Sequence, residues 1–272
     1  CVENARQGNW VDAECIGFER DTTYLMAFDQ MAGLSPGAVV YPLLTPQRRA
    51  QGYQMRQGIA SVPIGPQLLG RVVDGLGRPL DGLGGASWSD NLTLFASPNP
   101  LKRKPIHEPL DTGVRAINAM LSVGRGQRMG LFAGSGVGKS VLLSMLTRNC
   151  VADVIVIALV GERSREVREF CDDQLDEVSR ARAVVVASPA DTSPLARAKG
   201  AEYATDVATW FRDQGKHVVL IVDSLTRYAM AQREIGLSLG EAPVARGYPA
   251  SVFGKLPALV EKVGNGEHPE GS

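Results

Sequence analysis

A glycine-rich segment near the middle of the chain carries residue types that bind nucleotide phosphates. It reads Leu131-Phe132-Ala133-Gly134-Ser135-Gly136-Val137-Gly138-Lys139-Ser140 and lies between a predicted strand and a predicted helix. Glycines let successive backbone N–H groups turn towards phosphate oxygens, and the helix N-terminus adds the positive end of its dipole. Lys139 is expected to reach the β and γ oxygens, and the Ser140 hydroxyl to hold Mg²⁺. The segment therefore predicts a site for nucleotide phosphates.

The loop departs from the usual pattern at one position, because Ala133 stands where the first glycine is expected. Three spaced glycines and the Gly-Lys-Ser core remain, so a tight turn without a ligand is the weaker interpretation. The residues predicted to contact the nucleotide are Gly134, Ser135, Gly136, Val137, Gly138, Lys139, Ser140 and Val141. ATP and Mg²⁺ are the cofactors that this loop predicts.

A second chemical feature is the apolar run 218–222, which ends in Asp223. A parallel strand of this kind places its last carboxylate at the carboxyl edge of the sheet, where ligands bind. Asp223 would there orient Mg²⁺ directly or through water, together with Ser140. Taken alone, an acid after a strand is more often a turn or capping residue. The phosphate loop reverses that preference and makes Asp223 a predicted metal ligand.

The third chemical segment, 159–166, follows another apolar strand and reads Leu-Val-Gly-Glu-Arg-Ser-Arg-Glu. A carboxylate at this place can polarise an attacking water, and a neighbouring guanidinium can stabilise charge on the γ-phosphate. We predict Glu162 as the catalytic base and Arg163 as the residue near the γ-phosphate. The alternative is a helix start whose acids and bases pair in solvent, and this alternative is preferred for the charged residues at 165–168.

The elements around these segments alternate between strands and helices. Strands are predicted at 127–133, 154–160, 183–187 and 217–222, and helices at 111–121, 139–148, 164–178, 194–213 with Ser193 as its cap, and 225–239. Strands that are apolar on both faces indicate a parallel sheet covered by helices on both sides, which is an α/β fold.

The first third of the chain has a different pattern. Residues 1–97 show short β-prone runs between turn residues, which favour a small barrel or sandwich. A Pro-rich crossing at 97–109 follows. We therefore predict a partial N-terminal β-barrel domain at 1–97 and a nucleotide-binding domain at 98–272.

The composition limits the classes of protein to which this chain is expected to belong. The 272 residues include 29 Lys and Arg against 29 Asp and Glu, so a dominant nucleic-acid or anionic-membrane partner is not expected. The four cysteines and three histidines lack metal-ligand spacing. No run approaches the ~18 apolar residues of a membrane helix, and no signal peptide opens the chain. We expect a cytoplasmic protein.

Four segments together resemble the type III protein-export ATPases, which are relatives of the catalytic subunit of the rotary ATPases. They are 133–140, 161–166, 223–234 and 247–249. The sequences of the phosphate loop and of 224–231 resemble the flagellar branch more closely than the injectisome branch. The resemblance implies a RecA-like P-loop domain preceded by a β-barrel domain, a homo-hexameric ring, and Mg-dependent ATP hydrolysis that assists protein export.

The resemblance also implies roles and partners. It assigns Lys139 and Ser140 to phosphate and Mg²⁺. It assigns Glu162 to the base, Arg163 to the γ-phosphate and Asp223 to the metal. The implied partners are export-apparatus proteins, export substrates and chaperones, at a membrane-associated export gate on the cytoplasmic side of the inner membrane. Nucleic acid is not among them.

Two further segments acquire an interpretation from this family. Arg227 resembles an arginine beside the metal-binding strand, and a structural ion pair is an equal alternative. The loop 241–253 resembles the segment that faces the ring interior and a neighbouring subunit, with a passive connection as the alternative. The family's arginine finger, adenine contact and helical C-terminal domain lie beyond residue 272. We therefore expect the chain to be part of a longer protein and to turn over nucleotide poorly by itself.

Other nucleotide-binding classes remain as alternatives. The catalytic subunit of a proton- or sodium-translocating rotary ATPase shares the active site, so only the sequence outside the site distinguishes it from an export ATPase. A regulatory, non-hydrolysing subunit would lack the carboxylate of Glu162. A hexameric RNA helicase would need a basic or aromatic surface, whereas only 6% of residues are aromatic and the net charge is zero.

Overall fold

The computed structural model describes residues 2–4, 9–29, 31, 34–40, 62–84, 90–91, 98–134, 136–268 and 270–272. The strands are β1 (Val2–Asn4), β2 (Asn9–Val11), β3 (Ala13–Glu19), β4 (Thr22–Ala27), β5 (Pro63–Ile64), β6 (Val72–Val73), β7 (Asp90–Asn91), β8 (Val154–Val160), β9 (Ala183–Ser188), β10 (Val218–Asp223), β11 (Pro243–Ala245) and β12 (Tyr248–Pro249). The α-helices are α1 (Arg115–Met120), α2 (Lys139–Asn149), α3 (Ser164–Glu169), α4 (Glu177–Ala181), α5 (Pro194–Asp213), α6 (Leu225–Ser238) and α7 (Ala250–Lys262).

A parallel sheet of four strands lies at the centre, in the order β10-β8-β9-β6. Asp223 at the end of β10 lies beside Leu159 of β8, and Leu159 lies beside Ala187 of β9. The carboxyl ends of these three strands therefore meet at one edge of the sheet. The prediction of a parallel α/β sheet is confirmed.

The central strand β8 is buried on both faces, which explains its unbroken apolar sequence. Val156 and Val160 pack with α5 on one face, in the larger core cluster. Ile155 and Ile157 point to the other face, where they pack with Phe170. Each such side chain stabilises the fold by about 1.5–3 kcal/mol through its removal from water. The burial of β8 on both faces therefore fixes the position of the residues that follow this strand.

The sheet also takes up part of the N-terminal region. Strand β6 precedes the predicted boundary, yet it pairs in parallel with β9, with Val72 beside Val185. Leu68, Val73 and Leu76 are buried in the same core cluster as β8. Residues 62–84 therefore pack with the nucleotide-binding sheet.

The predicted barrel stays a prediction. The described strands before residue 40 form two antiparallel pairs, β1 with β2 and β3 with β4. The segment 41–61 lies outside the described residues. In the part of the chain that the structure describes, no helix has the length and apolar character needed to cross a membrane.

The strand predicted at 127–133 is not formed, and that prediction was wrong. Residues 126–130 and residues of β10 line a common cavity of about 420 Å³, and the segment does not pair with that strand. A strand needs a neighbour that accepts and donates its backbone hydrogen bonds. The apolar pattern of 127–133 is strand-like, but Phe132 is 96% exposed and the segment lacks ladder partners.

The helix predicted at 164–178 is broken. It forms α3, then a π-helical turn at Phe170–Gln174, and then α4. Asp176 caps the restarted helix, because its side chain accepts a hydrogen bond of 2.7 Å from the Ser179 N–H. An aspartate in the middle of a helical pattern is a candidate N-cap, and here that local preference overrides the continuous apolar spacing.

His217, just before β10, should make stability depend on pH. It is buried, and burial lowers the pKa of its imidazole below the ordinary value of 6.5. The unfolded chain therefore binds a proton at a higher pH than the folded chain does. The contribution is fully present above about pH 6.5 and is lost as pH falls below it.

We expect the free energy of unfolding to decrease between pH 7 and pH 5, and His217→Gln to flatten that decrease. Urea unfolding at a series of pH values measures both. His107→Gln changes an exposed histidine and is the matched control. An equal pH slope in the His217→Gln protein and the unsubstituted protein would contradict the assignment.

Candidate active site

The phosphate loop owes its shape to glycines in the left-handed backbone region. Gly136 has φ 76°, and Gly138, the N-cap of α2, has φ 97°. A Cβ at either position would meet nothing within 4 Å, so backbone conformation, not packing, requires glycine there. Val137 and Val141 are exposed, which leaves the loop open to solvent. Ser135 lies outside the described residues.

Lys139 forms an ion pair with Asp223, so the loop is held at the carboxyl edge of the sheet. Lys139 is the first residue of α2 and Asp223 the last of β10, 84 residues apart in the chain. The Lys139 side chain is 29% exposed and that of Asp223 9%. The predicted phosphate-binding cation thus contacts the predicted metal ligand. A bound phosphate would compete with Asp223 for Lys139.

Glu162 forms a second ion pair, with Arg227 in the first turn of α6. The Glu162 side chain is 10% exposed. The Ser224 side chain caps α6 by accepting from the Arg227 N–H, which sets the start of the helix. Burial lowers the pKa of the Arg227 guanidinium, which nevertheless remains a cation at neutral pH. Of the two interpretations of Arg227, the structure supports the ion pair.

The two ion pairs lie at the same edge of the sheet, because β8 and β10 are paired neighbours. Two carboxylates and two cations therefore converge there with balanced formal charge. Lys139, Glu162 and Asp223 are predicted from their sequence context as one site, and the structure brings them to the same edge of the sheet. It also joins Arg227 to them, which the sequence left open.

The oxygen donors at this edge are few. The described residues contain no group of three or more His, Cys, Asp or Glu that could hold a metal ion. Mg²⁺ commonly binds through one or two carboxylates together with substrate phosphates and waters. The Asp223 carboxylate and the exposed Ser140 hydroxyl fit that pattern, so they suit Mg²⁺ that arrives with a nucleotide.

Arg163 is not part of the two ion pairs. Its side chain is 83% exposed, and its Nη1 lies 3.3 Å from Glu166 Oε1. Its role near the γ-phosphate stays a prediction. Arg165 and Arg168 form exposed pairs with acids one turn later, as the solvent-pairing interpretation predicted. Such pairs contribute only about 0–1 kcal/mol each.

The loop at 241–253 contains a small hairpin of β11 and β12. Arg246 has φ 49° at the turn, and Val244 is 63% exposed. The base of the hairpin is anchored, since the Arg233 guanidinium lies 5.5 Å from the centre of the Tyr248 ring. An exposed tip on an anchored base suits a contact surface, and the predicted ring-facing role stays a prediction.

Asp223→Asn should separate the metal-dependent and metal-independent parts of ATP affinity. Asparagine has nearly the same shape but no charge, so Lys139 becomes free to meet phosphates while Mg²⁺ loses a ligand. A partly exposed ion pair is worth up to about 1 kcal/mol, or roughly fivefold in affinity. We therefore expect metal-free ATP to bind several-fold more tightly and the enhancement by Mg²⁺ to shrink.

Titration with a fluorescent ATP analogue, in EDTA and in Mg²⁺, measures both affinities. Asp172→Asn removes the same charge from an exposed pair in the π-helical turn and is the control. An unchanged metal-free affinity in the Asp223→Asn protein would show that Asp223 does not restrain Lys139.

Residues 113–272 match the model of the ATP synthase alpha/beta family, nucleotide-binding domain. The match begins just before α1 and includes every residue of the two ion pairs.

Curated relatives are flagellar and secretion ATPases. The chain is 57% identical over 263 residues to the flagellum-specific ATP synthase of Salmonella typhimurium, covering 96% of this chain and 56% of that protein. It is 46% identical to the type 3 secretion system ATPase of Xanthomonas euvesicatoria, covering 98% and 58%. The chain thus spans little more than half the length of these relatives.

Solved structures agree with this relationship. The assembled ATPase EscN of the enteropathogenic E. coli type III secretion system matches with a TM-score of 0.85 and 40% identity, covering 98% of this chain and 61% of that one. EscN in complex with its central stalk EscO matches with the same score and identity, covering 100% and 63%. The fold, the converging site and the match over 113–272 agree, so this chain belongs to the ATP synthase alpha/beta family, with relatives among the flagellar and type III secretion ATPases.

Proposed function

We propose that the protein hydrolyses ATP with Mg²⁺ to assist flagellar or type III protein export, with the flagellar apparatus preferred. The observation that carries the proposal is the convergence of Lys139, Asp223 and Glu162 at one edge of the sheet. Lys139 can bind phosphate, Asp223 can bind the metal and Glu162 can activate water. ATP hydrolysis requires these three functions. The 57% identity to a flagellum-specific relative supports the choice of process.

Each of these residues has a separate role in the proposed reaction. The N–H groups of the loop and Lys139 bind the phosphates, once Lys139 has left Asp223. Asp223 and Ser140 would hold Mg²⁺, which would supply positive charge to offset that of the phosphates. Glu162 orients the attacking water and accepts its proton. Each function belongs to an element end, so small movements of α2, β8 or β10 would change the rate.

We also propose a homo-hexameric ring for the full-length protein, located in the cytoplasm at the membrane-associated export gate. The assembled EscN structure and the exposed β11–β12 hairpin support a ring with an inward-facing loop. The EscN–EscO complex supports a central stalk protein as one partner. Export substrates and their chaperones are the other proposed partners.

Phosphate release by the purified full-length protein tests the enzymatic proposal. We expect turnover that requires Mg²⁺ and stops in EDTA. A strain that lacks the gene should lose flagellar filaments and soft-agar motility, while its membrane ATP synthesis remains normal. Normal motility with impaired ATP synthesis would instead support a rotary ion-translocating ATPase. A mass measured by light scattering that never exceeds one subunit would contradict the ring.

A further inference from the structure

The first turn of α2, which follows the phosphate loop, is only weakly restrained by packing. Ser140 and Val141 are exposed, whereas Thr147, two turns later, is buried. A Cβ at either left-handed glycine of the loop would meet nothing within 4 Å. The ion pair of Lys139 with Asp223 holds the loop, but it has to open when phosphate binds. The position of the phosphate-binding N–H groups therefore depends on how the rest of α2 is anchored.

Arg182 anchors the opposite end of α2. Its guanidinium donates hydrogen bonds to four backbone carbonyls in and just after the last turn of the helix. Nη1 bonds to the carbonyls of Cys150 at 3.0 Å and Ala152 at 2.7 Å, and Nη2 to those of Thr147 at 3.5 Å and Arg148 at 3.3 Å. Carbonyls at the end of a helix lack partners within it, and a cation there meets the negative end of the helix dipole. One side chain thus holds the whole C-terminal end of α2.

Arg182 is itself fixed by the sheet. It lies directly before β9, and its own carbonyl accepts a hydrogen bond of 2.9 Å from the Ile155 N–H of β8. Arg182 therefore stands at the amino edge of the sheet, whereas Lys139 and Asp223 meet at the carboxyl edge. The two edges are roughly 20 Å apart, because β9 has six residues and a strand rises about 3.3 Å per residue. At that distance Arg182 cannot touch a nucleotide on the phosphate loop.

We propose that Arg182 is a positioning residue for nucleotide binding, which fixes the C-terminal end of α2 to the sheet and thereby places the phosphate-binding N–H groups at its other end. This inference rests on the proposed ATPase function. The helix has 11 residues and is about 16 Å long, so a tilt of about 5° around a released C-terminal end moves its first turn by more than about 1 Å. A misplacement of about 1 Å costs roughly 10²-fold in rate. Arg182 therefore acts on the phosphates through the helix, without contacting them.

Arg182→Gln in the full-length protein tests the proposal through the binding of metal-free ATP and of inorganic tripolyphosphate. We expect both dissociation constants to rise by a similar factor, at least about tenfold, since the two ligands share the phosphate contacts and one charge-assisted hydrogen bond has that size. Arg182→Lys keeps the cation but reaches fewer of the four carbonyls, so its affinities should lie between those of the Arg182→Gln and unsubstituted proteins. Titration calorimetry measures all of them.

Arg103→Gln is the matched control, because it separates positioning from a general loss of stability. Arg103 also anchors the end of a helix, since it donates to the carbonyls of Glu261 at 2.6 Å and Val263 at 2.8 Å at the end of α7. That helix follows the β11–β12 hairpin and carries no phosphate loop. Both variants should unfold at a lower temperature than the unsubstituted protein, but only Arg182→Gln should lose affinity for the two phosphate ligands.

Two results would overturn the role of Arg182. One is an affinity for tripolyphosphate that is unchanged in folded Arg182→Gln protein, because Arg182 would then only stabilise the fold. If that variant does not fold, an unchanged affinity in Arg182→Lys has the same meaning. The other is an equal loss of affinity in Arg103→Gln. An unsubstituted protein that binds tripolyphosphate but never hydrolyses ATP with Mg²⁺ would refute the proposed function and leave the role of Arg182 intact, so the two failures are distinguishable.

Discussion

Glu162→Gln in the full-length protein should abolish steady-state ATP hydrolysis while ATP still binds. Glutamine keeps the size of the side chain but cannot accept a proton from water. Loss of a general base typically lowers a rate by about 10²–10⁴-fold, or roughly 3–5 kcal/mol of transition-state stabilisation. The carboxylate contacts Arg227, not Lys139, so the phosphate-binding side of the site is unchanged. We therefore expect an ATP affinity within about threefold of the unsubstituted value.

Phosphate release measures the rate, and titration with a fluorescent ATP analogue measures the affinity. Glu169→Gln makes the same substitution at the end of α3, at an exposed pair with Arg165, and should retain activity. Because Glu162→Gln leaves Arg227 without its partner, thermal unfolding should accompany the assay. Full activity in the Glu162→Gln protein would remove Glu162 from the base role.

Lys139→Ala should abolish hydrolysis and also weaken ATP binding. The substitution removes charged hydrogen bonds to the phosphates, which are worth about 1.5–3 kcal/mol each. It also leaves the Asp223 carboxylate without its cation at the place where phosphates must bind. We expect the affinity for ATP to fall by at least about tenfold, since 1.4 kcal/mol corresponds to a factor of 10.

The double variant Lys139→Ala, Asp223→Asn sharpens this expectation. If the unpaired carboxylate repels the phosphates, neutralising it should restore part of the lost affinity for metal-free ATP, although hydrolysis stays absent. Lys102→Ala removes a lysine that is 65% exposed and is the control. An ATP affinity unchanged by Lys139→Ala would refute the phosphate-binding assignment.

The elements that sequence analysis located best are those whose burial leaves a strong local signal. The strand 154–160 is buried on both faces and was predicted with its observed ends. The helix after Ser193 was also predicted correctly, because a capping serine followed by proline marks its start. Such signals depend only on residues that are close together in the sequence, so they can be recognised before the tertiary structure is known.

The segment 127–133 was predicted wrongly as a strand, because its local sequence does not determine whether a strand forms. It carries apolar residues at 129 and 131–133, yet it forms no ladder, and its residues 127–130 line a cavity together with residues of β10. Strand formation requires a partner edge at hydrogen-bonding distance, and nothing within the segment encodes where that edge lies. The same limit applies to β6, whose two residues join the sheet from the region that we predicted as a barrel.

The residue types of the site and their places at element ends follow from local sequence alone. The local sequence predicts a helix start at Gly138 and Lys139 and the end of an apolar strand at Asp223, and the structure has both elements there. The pairing of Glu162 with Arg227 depends on β8 and β10 lying side by side, and the pairing of Lys139 with Asp223 depends on the fold bringing the start of α2 to the end of β10. Charge interactions depend on distance and burial, and the fold sets both for residues that are far apart in the chain.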